Sequence, residues 1–233
     1  MAHVSAYDAF APIYDAFAAA MTEDVPFYVE LAAAARGPVV ELAVGTGRVA
    51  IPIAERTSRR VIGIDVSAEM LEVARRSAAD AGIELELRQG DMTDLALHEP
   101  TDLVICPFRA MLHLPGHDAR VDVMRRVRAA LVPGGRFAWN AFVFDPAVAA
   151  EIDAVWREEG GVRHRSTYDF AERRIDLELE SGGCVPLWWV DRDEWEAAIA
   201  EAGLEIEALY GWFDRRPFDD TSREFVYVAR RPA

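Results

Sequence analysis

Between Pro38 and Asp145 the chain alternates short apolar runs with amphipathic segments, a rhythm that few folds accommodate. The runs are VVELAV (39–44), RVIGID (60–65), IELELRQGD (83–91), DLVICPF (102–108) and GRFAWNAFVF (135–144). Helical periodicity fills 48–56, 67–81 and 117–131, with Ser67 suited to an N-cap and Gly82 to the left-handed position after a helix. Strand and helix alternating at this spacing mean crossover units and a parallel sheet covered on both faces.

The flanks read differently. Residues 5–20 and 25–37 are helical in pattern, with Gly37 as the left-handed residue that closes the second stretch. Tyr7 and Tyr14, seven apart, fall on one face of this segment. After Asp145 a helix is expected over 146–159, then three strand-like pieces, GVRHRSTYDF, RRIDLELES and CVPLWWV, separated by turn signals such as Gly182-Gly183. Two of the three alternate in polarity, which predicts a half-exposed antiparallel meander inserted into the α/β core. Along the first piece Arg163, Arg165 and Thr167 take one side, and His164, Ser166 and Tyr168 the other. A helix restarts at Asp191, where Glu194 completes a capping box, and stops at Gly203. Two strands, LEIEALYGWF and REFVYVARR, end the chain. No repeat and no inter-domain linker interrupts the 233 residues, so one domain is expected: cap helices (1–37), core (38–145), lid insertion (146–191), and a final helix with two strands (192–233).

Charge narrows the partners. The formal net charge is −15, and every basic residue is arginine. An acidic surface without a basic run repels phosphate backbones, which argues against nucleic acid. Cys106 and Cys184 stand apart from each other and from any cluster of histidines, so neither a disulfide framework nor a metal site is expected. The first residues carry no basic, apolar leader, and no run is apolar enough to span a bilayer, which predicts a cytoplasmic protein without membrane contact.

The chemistry concentrates at Gly45-Thr46-Gly47. A glycine turn between a strand and a helix presents backbone N–H groups to a ligand beyond the strand ends. No Gly-Lys-Ser/Thr follows, which excludes a P-loop. Asp65, eighteen residues after Gly47, ends the next strand and can accept both hydroxyls of a ribose. Turn and acid together suit NAD and S-adenosylmethionine equally. Glu41 on the first strand, QGD at 89–91 ending the third, DLVICPF as a fourth strand and the turn in LVPGGRFAWN favour the latter.

At VELAVGTGR, GIDVSAEMLEVAR, QGDMTDL, DLVICPF…LHL and LVPGGRF, in that order, the chain resembles the class I S-adenosylmethionine-dependent methyltransferases. It departs from the common glycine motif at Ala43 and Val44, where Gly or Cys is frequent. The resemblance implies a doubly wound, seven-stranded, mostly parallel Rossmann-like sheet whose last strand is antiparallel, with the meander as a lid and the N-terminal helices as a cap. It implies S-adenosylmethionine as cofactor, and it places Gly45 and Gly47 at its methionine part, with Ala43, Arg48 and Pro107 also in the site. Asp65 would hold the ribose, Val66 and Met70 flank the adenine, and Asp91 with the Met92 N–H read its edge. Glu41 would orient the glycine loop or face the ammonium, and Tyr14 would reach the methionyl end.

Methyl transfer from a sulfonium needs alignment more than acid–base help. His113, just past the fourth strand, is the candidate base for an acceptor that arrives protonated. Tyr7, Arg109, Tyr168 and Trp188 are candidate acceptor contacts. The activity expected is methylation of N or O on a small molecule. An NAD-linked oxidoreductase and a non-catalytic S-adenosylmethionine-binding protein are the rival readings, and a homodimer through the lid sheet stays open.

Overall fold

The computed structural model describes residues 6–97 and 99–233. Seven strands form the main sheet in the order β3-β2-β1-β4-β5-β11-β10. They are β1 (Val39–Leu42), β2 (Val61–Asp65), β3 (Glu86–Gln89), β4 (Thr101–Cys106), β5 (Leu131–Phe142), β10 (Glu205–Tyr210) and β11 (Glu224–Arg230). Strands β1 to β5 pair in parallel, and β11 runs antiparallel to both β5 and β10. The order reverses beside β1, and the crevice beyond the C-terminal ends of β1 and β4 is where such sheets bind ligands.

Helices cover both faces because the central strands are apolar on both sides. On one face α5 (Gly116–Ala130) and α7 (Arg192–Glu201) pack Val123, Met124, Val127 and Trp195 against Phe137, Trp139 and Tyr227. The other face receives α2 (Asp24–Ala34), α3 (Ala50–Thr57) and α4 (Ala68–Asp80), which bury Phe27, Tyr28, Ile53 and Leu71. Ser67 caps α4 by accepting the Met70 N–H at 3.1 Å, and Gly82 turns left-handed just after it.

The lid is a second, antiparallel sheet in the order β6-β7-β8-β9, formed by β6 (Arg157–Glu159), β7 (Val162–Asp169), β8 (Arg174–Leu179) and β9 (Cys184–Trp188). It has four strands rather than three. The helix expected over 146–159 is only α6 (Pro146–Ile152); the chain then straightens so that Arg157–Glu159 can pair with β7. The Asp145 carboxylate caps α6 by accepting the Ala147 N–H at 2.9 Å.

The N-terminal cap departs from two continuous helices. It is a 3-10 turn at Asp8–Phe10, then α1 (Tyr14–Ala18), then α2, with Pro12 between the first two. Tyr7 and Tyr14 therefore do not share a helix face. The Ser5 start expected for this segment lies outside the described residues. Gly37 is not left-handed. Helix α2 exits at Ala35 in extended backbone, and the Asp102 carboxylate of β4 accepts the Arg36 and Gly37 N–H groups at 2.5 and 3.0 Å. A side-chain carboxylate replaces the glycine cap.

Candidate functional site

Beyond the ends of β1, β2 and β4 lies a cavity of about 520 Å³. The core strands form its floor, the N-terminal cap one wall, and the inner face of the lid its roof.

On the floor, the glycine turn and Asp65 are joined. Gly45 takes φ +55 and its N–H donates to Asp65 Oδ2 at 2.8 Å, while the Ser67 N–H donates to Oδ1 at 2.8 Å. Burial raises the Asp65 pKa, and these backbone donors work against the rise. Three non-glycine residues on the floor also have left-handed backbone: Ala43 (φ 52), Phe108 (φ 55) and Arg109 (φ 65). Each such conformation costs about 1 kcal/mol or more. At Ala43 this strain falls at a departure from the common glycine motif.

Asp91 and Met92 open a 3-10 turn just past β3 and line the cavity beside Gly90, with Asp91 Oδ1 accepting the Thr93 N–H at 2.8 Å. Ala43, Gly45, Asp65, Val66, Met70, Asp91, Met92 and Pro107 thus share one surface, and Tyr7 and Tyr14 close over it from the cap. The cap is held by polar contacts to the same loops. Thr46 donates to Asp15 at 2.6 Å and Ser67 to Asp8 at 2.5 Å.

Four expected contacts sit off this surface. A Cβ on Gly47 would stand 3.1 Å from Ile51, so this glycine serves helix packing instead of the cavity. Arg48 turns away and grips Asp24 through both terminal nitrogens, at 2.8 and 2.5 Å, while donating to the Met21 carbonyl at 2.9 Å. Glu41 is 2% exposed beneath the floor. Trp188 lies outside the cavity lining, whereas Val185 and Leu187 face in. On a strand one position exchanges the faces.

Glu41 nonetheless bears on cofactor fit. Its Oε2 is buried without a hydrogen-bond partner, and burial pushes its pKa well above the usual carboxylate range, against the opposing pull of Arg48. An unsatisfied buried carboxyl oxygen suits a ligand that brings a cation or donors. With Asp65 and Asp91 at the neighbouring strand ends, these three acceptors fit a molecule whose donors are an ammonium, ribose hydroxyls and an adenine amino group.

His113 lines the cavity in a 3-10 turn at Ala110–His113. Its Nδ1 lies 2.8 Å from the Pro186 carbonyl oxygen of β9. A carbonyl only accepts, so Nδ1 carries the proton and Nε2 keeps a lone pair. Burial lowers the His113 pKa, and the Tyr7 ring meets it edge-on at 5.1 Å. Arg109 also reaches the cavity, but its Nε and Nη2 bond to Glu224 at 3.1 and 2.8 Å. Glu224 is fully buried and further held by Asn140 at 2.6 Å, to which Tyr28 donates at 3.1 Å.

The roof was only partly foreseen. His164, Ser166 and Tyr168 face inward together, as their alternation implies. Phe10, Phe17, Phe108, Phe142, Arg157 and Arg223 also line the cavity, none of them among the expected site residues. Phe142 is the last residue of β5, paired with Glu224 at the cavity end of the sheet, and a large apolar residue at a strand end is a usable signal. Arg157 had none, because its strand is short and charged.

Residues 39–135 match the family model described as a methyltransferase domain. Over 190 residues the chain is 28% identical to the dTDP-3-amino-3,6-dideoxy-alpha-D-glucopyranose N,N-dimethyltransferase of Streptomyces fradiae, covering 74% of this chain and 72% of that one. The structure of the CcbJ methyltransferase from Streptomyces caelestis superposes with a TM-score of 0.80 at 28% identity, covering 99% of both chains. That of S-adenosylmethionine-bound CalS10, an amino pentose methyltransferase from Micromonospora echinaspora, does so at 0.67 and 23% identity, covering 95% of this chain and 96% of that one.

Proposed function

Because the chain is a class I S-adenosylmethionine-dependent methyltransferase, we propose that its cavity brings the donor to a nitrogen or oxygen of a small molecule held under the lid, with an amine as the first acceptor to try. The observation that carries the reading is the convergence of Gly45, Asp65 and Asp91 on one roofed cavity. The amine preference rests on the relative from Streptomyces fradiae, whose name specifies N,N-dimethylation.

Asp65 takes the ribose hydroxyls, through charge-assisted bonds worth roughly 1.5–3 kcal/mol each. Asp91 and the Met92 N–H read the adenine edge, and Val66 and Met70 flank its faces. Gly45, Ala43 and Pro107 leave room for the methionine part, Tyr14 covers it, and Glu41 answers the ammonium. The bound cofactor supplies an activated methyl on sulfur, whose bonding pair stays with sulfur on transfer. The chain aligns the acceptor, and His113 Nε2 takes the proton that an ammonium or hydroxyl acceptor must lose. Tyr7, Arg109 and Tyr168 border the acceptor's half of the cavity. The lid's inner face is committed to that cavity, so a homodimer through the lid would use its outer face, where Arg163 and Arg165 flank Trp156.

Calorimetric titration with S-adenosylmethionine, S-adenosylhomocysteine, NAD and NADP tests the reading. The first two should bind and the nucleotides should not; NAD binding alone would restore an oxidoreductase. Asp65→Ala should weaken S-adenosylhomocysteine binding by roughly 10- to 150-fold, the equivalent of one or two hydrogen bonds. Turnover with any amine, phenol or sugar acceptor separates an enzyme from a binding protein.

A further inference from the structure

Carboxylates outnumber arginines 40 to 25 in this chain, and most of the arginines find one. Arg157 and Arg223 line the cavity, and neither makes an ion pair or side-chain hydrogen bond among the described residues. Arg157 is the more telling. Its Nε is buried and unsatisfied, a state shared by Arg59, Arg120 and Arg174. Those three recover a bond elsewhere, from Arg36 O, Trp188 O and Asp176. A donor nitrogen removed from water without a partner is costly unless something completes it. The rest of the Arg157 side chain stays half-buried while Arg223 is exposed at the rim, both within reach of a ligand.

Nearby acids do not supply that partner. Asp145 lines the cavity but is engaged as the cap of α6. Glu159, two residues along β6, is exposed at the rim and bonds to neither arginine. Glu224 belongs to Arg109.

The roof also has a direction. Arg157 on β6 and the polar row His164, Ser166 and Tyr168 on β7 occupy one half, while Ile175, Leu177, Val185 and Leu187 on β8 and β9 make the other half apolar. His113 is tethered to β9, at the opposite edge of the lid from β6. Three inter-strand spacings separate those edges, about 14 Å.

We propose that the acceptor carries an anionic group, a carboxylate or a phosphate ester, seated against Arg157 and Arg223, on the order of 10–15 Å from the atom that receives the methyl. Its apolar middle crosses under β8, and the nucleophile ends beside His113. This rests on reading the cavity as the methyl-transfer site and adds the class of molecule that fills it. Arginine suits the task because its fork matches either oxyanion.

The test uses inorganic pyrophosphate and succinate as probes of the anion seat alone. Protein saturated with S-adenosylhomocysteine and labelled with nitrogen-15 is titrated with each to about 20 mM, enough to populate even a millimolar site. The Nε–Hε signals of Arg157 and Arg223, identified by their loss in Arg157→Gln and Arg223→Gln, should move, while that of the surface residue Arg192 should not. Either substitution should weaken the probe at least about tenfold and leave S-adenosylhomocysteine affinity unchanged. A response to pyrophosphate alone identifies a phosphate, to succinate alone a carboxylate, and to both an anion seat that accepts either. No movement at Arg157 and Arg223, or equal movement at Arg192, overturns the proposal. Failure of S-adenosylhomocysteine to bind the wild-type protein would overturn the underlying reading instead.

Discussion

Glu41 lies on β1 with its carboxyl buried, and burial raises its pKa well above the unfolded value of about 4.3. Between those two values the unfolded chain has lost a proton that the folded protein keeps. Stability from this group therefore falls as pH rises through that window. Glu41→Gln removes the liability, so without cofactor it should melt higher than the wild type at neutral pH. A cofactor ammonium at Glu41 reverses the balance by favouring the carboxylate. The same substitution should then weaken S-adenosylmethionine binding by about tenfold, and wild-type binding should release a proton, seen as a buffer-dependent enthalpy. A variant that melts lower and binds unchanged would exclude this role. His113 has the opposite sign. Its lowered pKa favours the neutral imidazole, so any acidic limb of the rate should fall below the ordinary value of about 6.5. His113→Gln should lower kcat about 10²-fold or more if the acceptor arrives protonated. At this scale the sequence was most legible where chemistry is tied to a strand end: Gly45, Asp65 and Asp91 all arrive on one surface. Trp188 lies outside the lining although it is aromatic, because a strand's two-residue period decides which side faces in and turns Val185 and Leu187 inward instead.

Among the elements, the cap and lid interlock through glycines whose surroundings differ. Gly160 and Gly161, in the β6–β7 turn, both have positive φ, at 57° and 78°. A Cβ on Gly160 would lie 2.0 Å from the Ala16 carbonyl oxygen of α1, while one on Gly161 would meet nothing within 4 Å. Gly161→Ala should therefore cost only left-handed strain, about 1 kcal/mol. Gly160→Ala adds a collision that must push the lid from the cap, which should raise the KM for both substrates. Equal effects of the two alanines on stability and KM would show that the contact does not matter. None of this docking was visible in the sequence, where a Gly-Gly pair announces only a turn. The same stretch hid β6: Arg157-Glu158-Glu159 has no apolar alternation, because pairing to β7 and not burial makes it a strand. The core elements were readable because their apolar runs have to be buried.

At the scale of the whole molecule, the apolar side chains of the described residues gather in three clusters of unequal size. Two lie on opposite faces of the main sheet, each sewn to its helices. The third joins Phe10 and Ala11 of the cap, Val162, Leu179 and Val185 of the lid, and Met70 of α4. This small cluster closes the cavity, and less buried area means a smaller free energy of local opening. The polar clasps Asp15–Thr46 and Asp8–Ser67 add to it, but they join side chains that water can reach when the cap lifts. Amides of residues 6–20 and 157–188 should therefore exchange hydrogen faster than those of β1, β4 and β5. Residues of the floor and of the cap line one cavity, so a molecule touching both must hold the cap down. At a hundredfold excess over its Kd, S-adenosylhomocysteine can stabilise the closed form by up to about 2.7 kcal/mol if it cannot bind the open one. Cap amides should then slow by as much as about 100-fold, and lid amides should slow less, since their wall faces the acceptor. Slowing confined to the floor strands would mean that the cofactor binds without the cap, leaving Tyr14 no part in holding it.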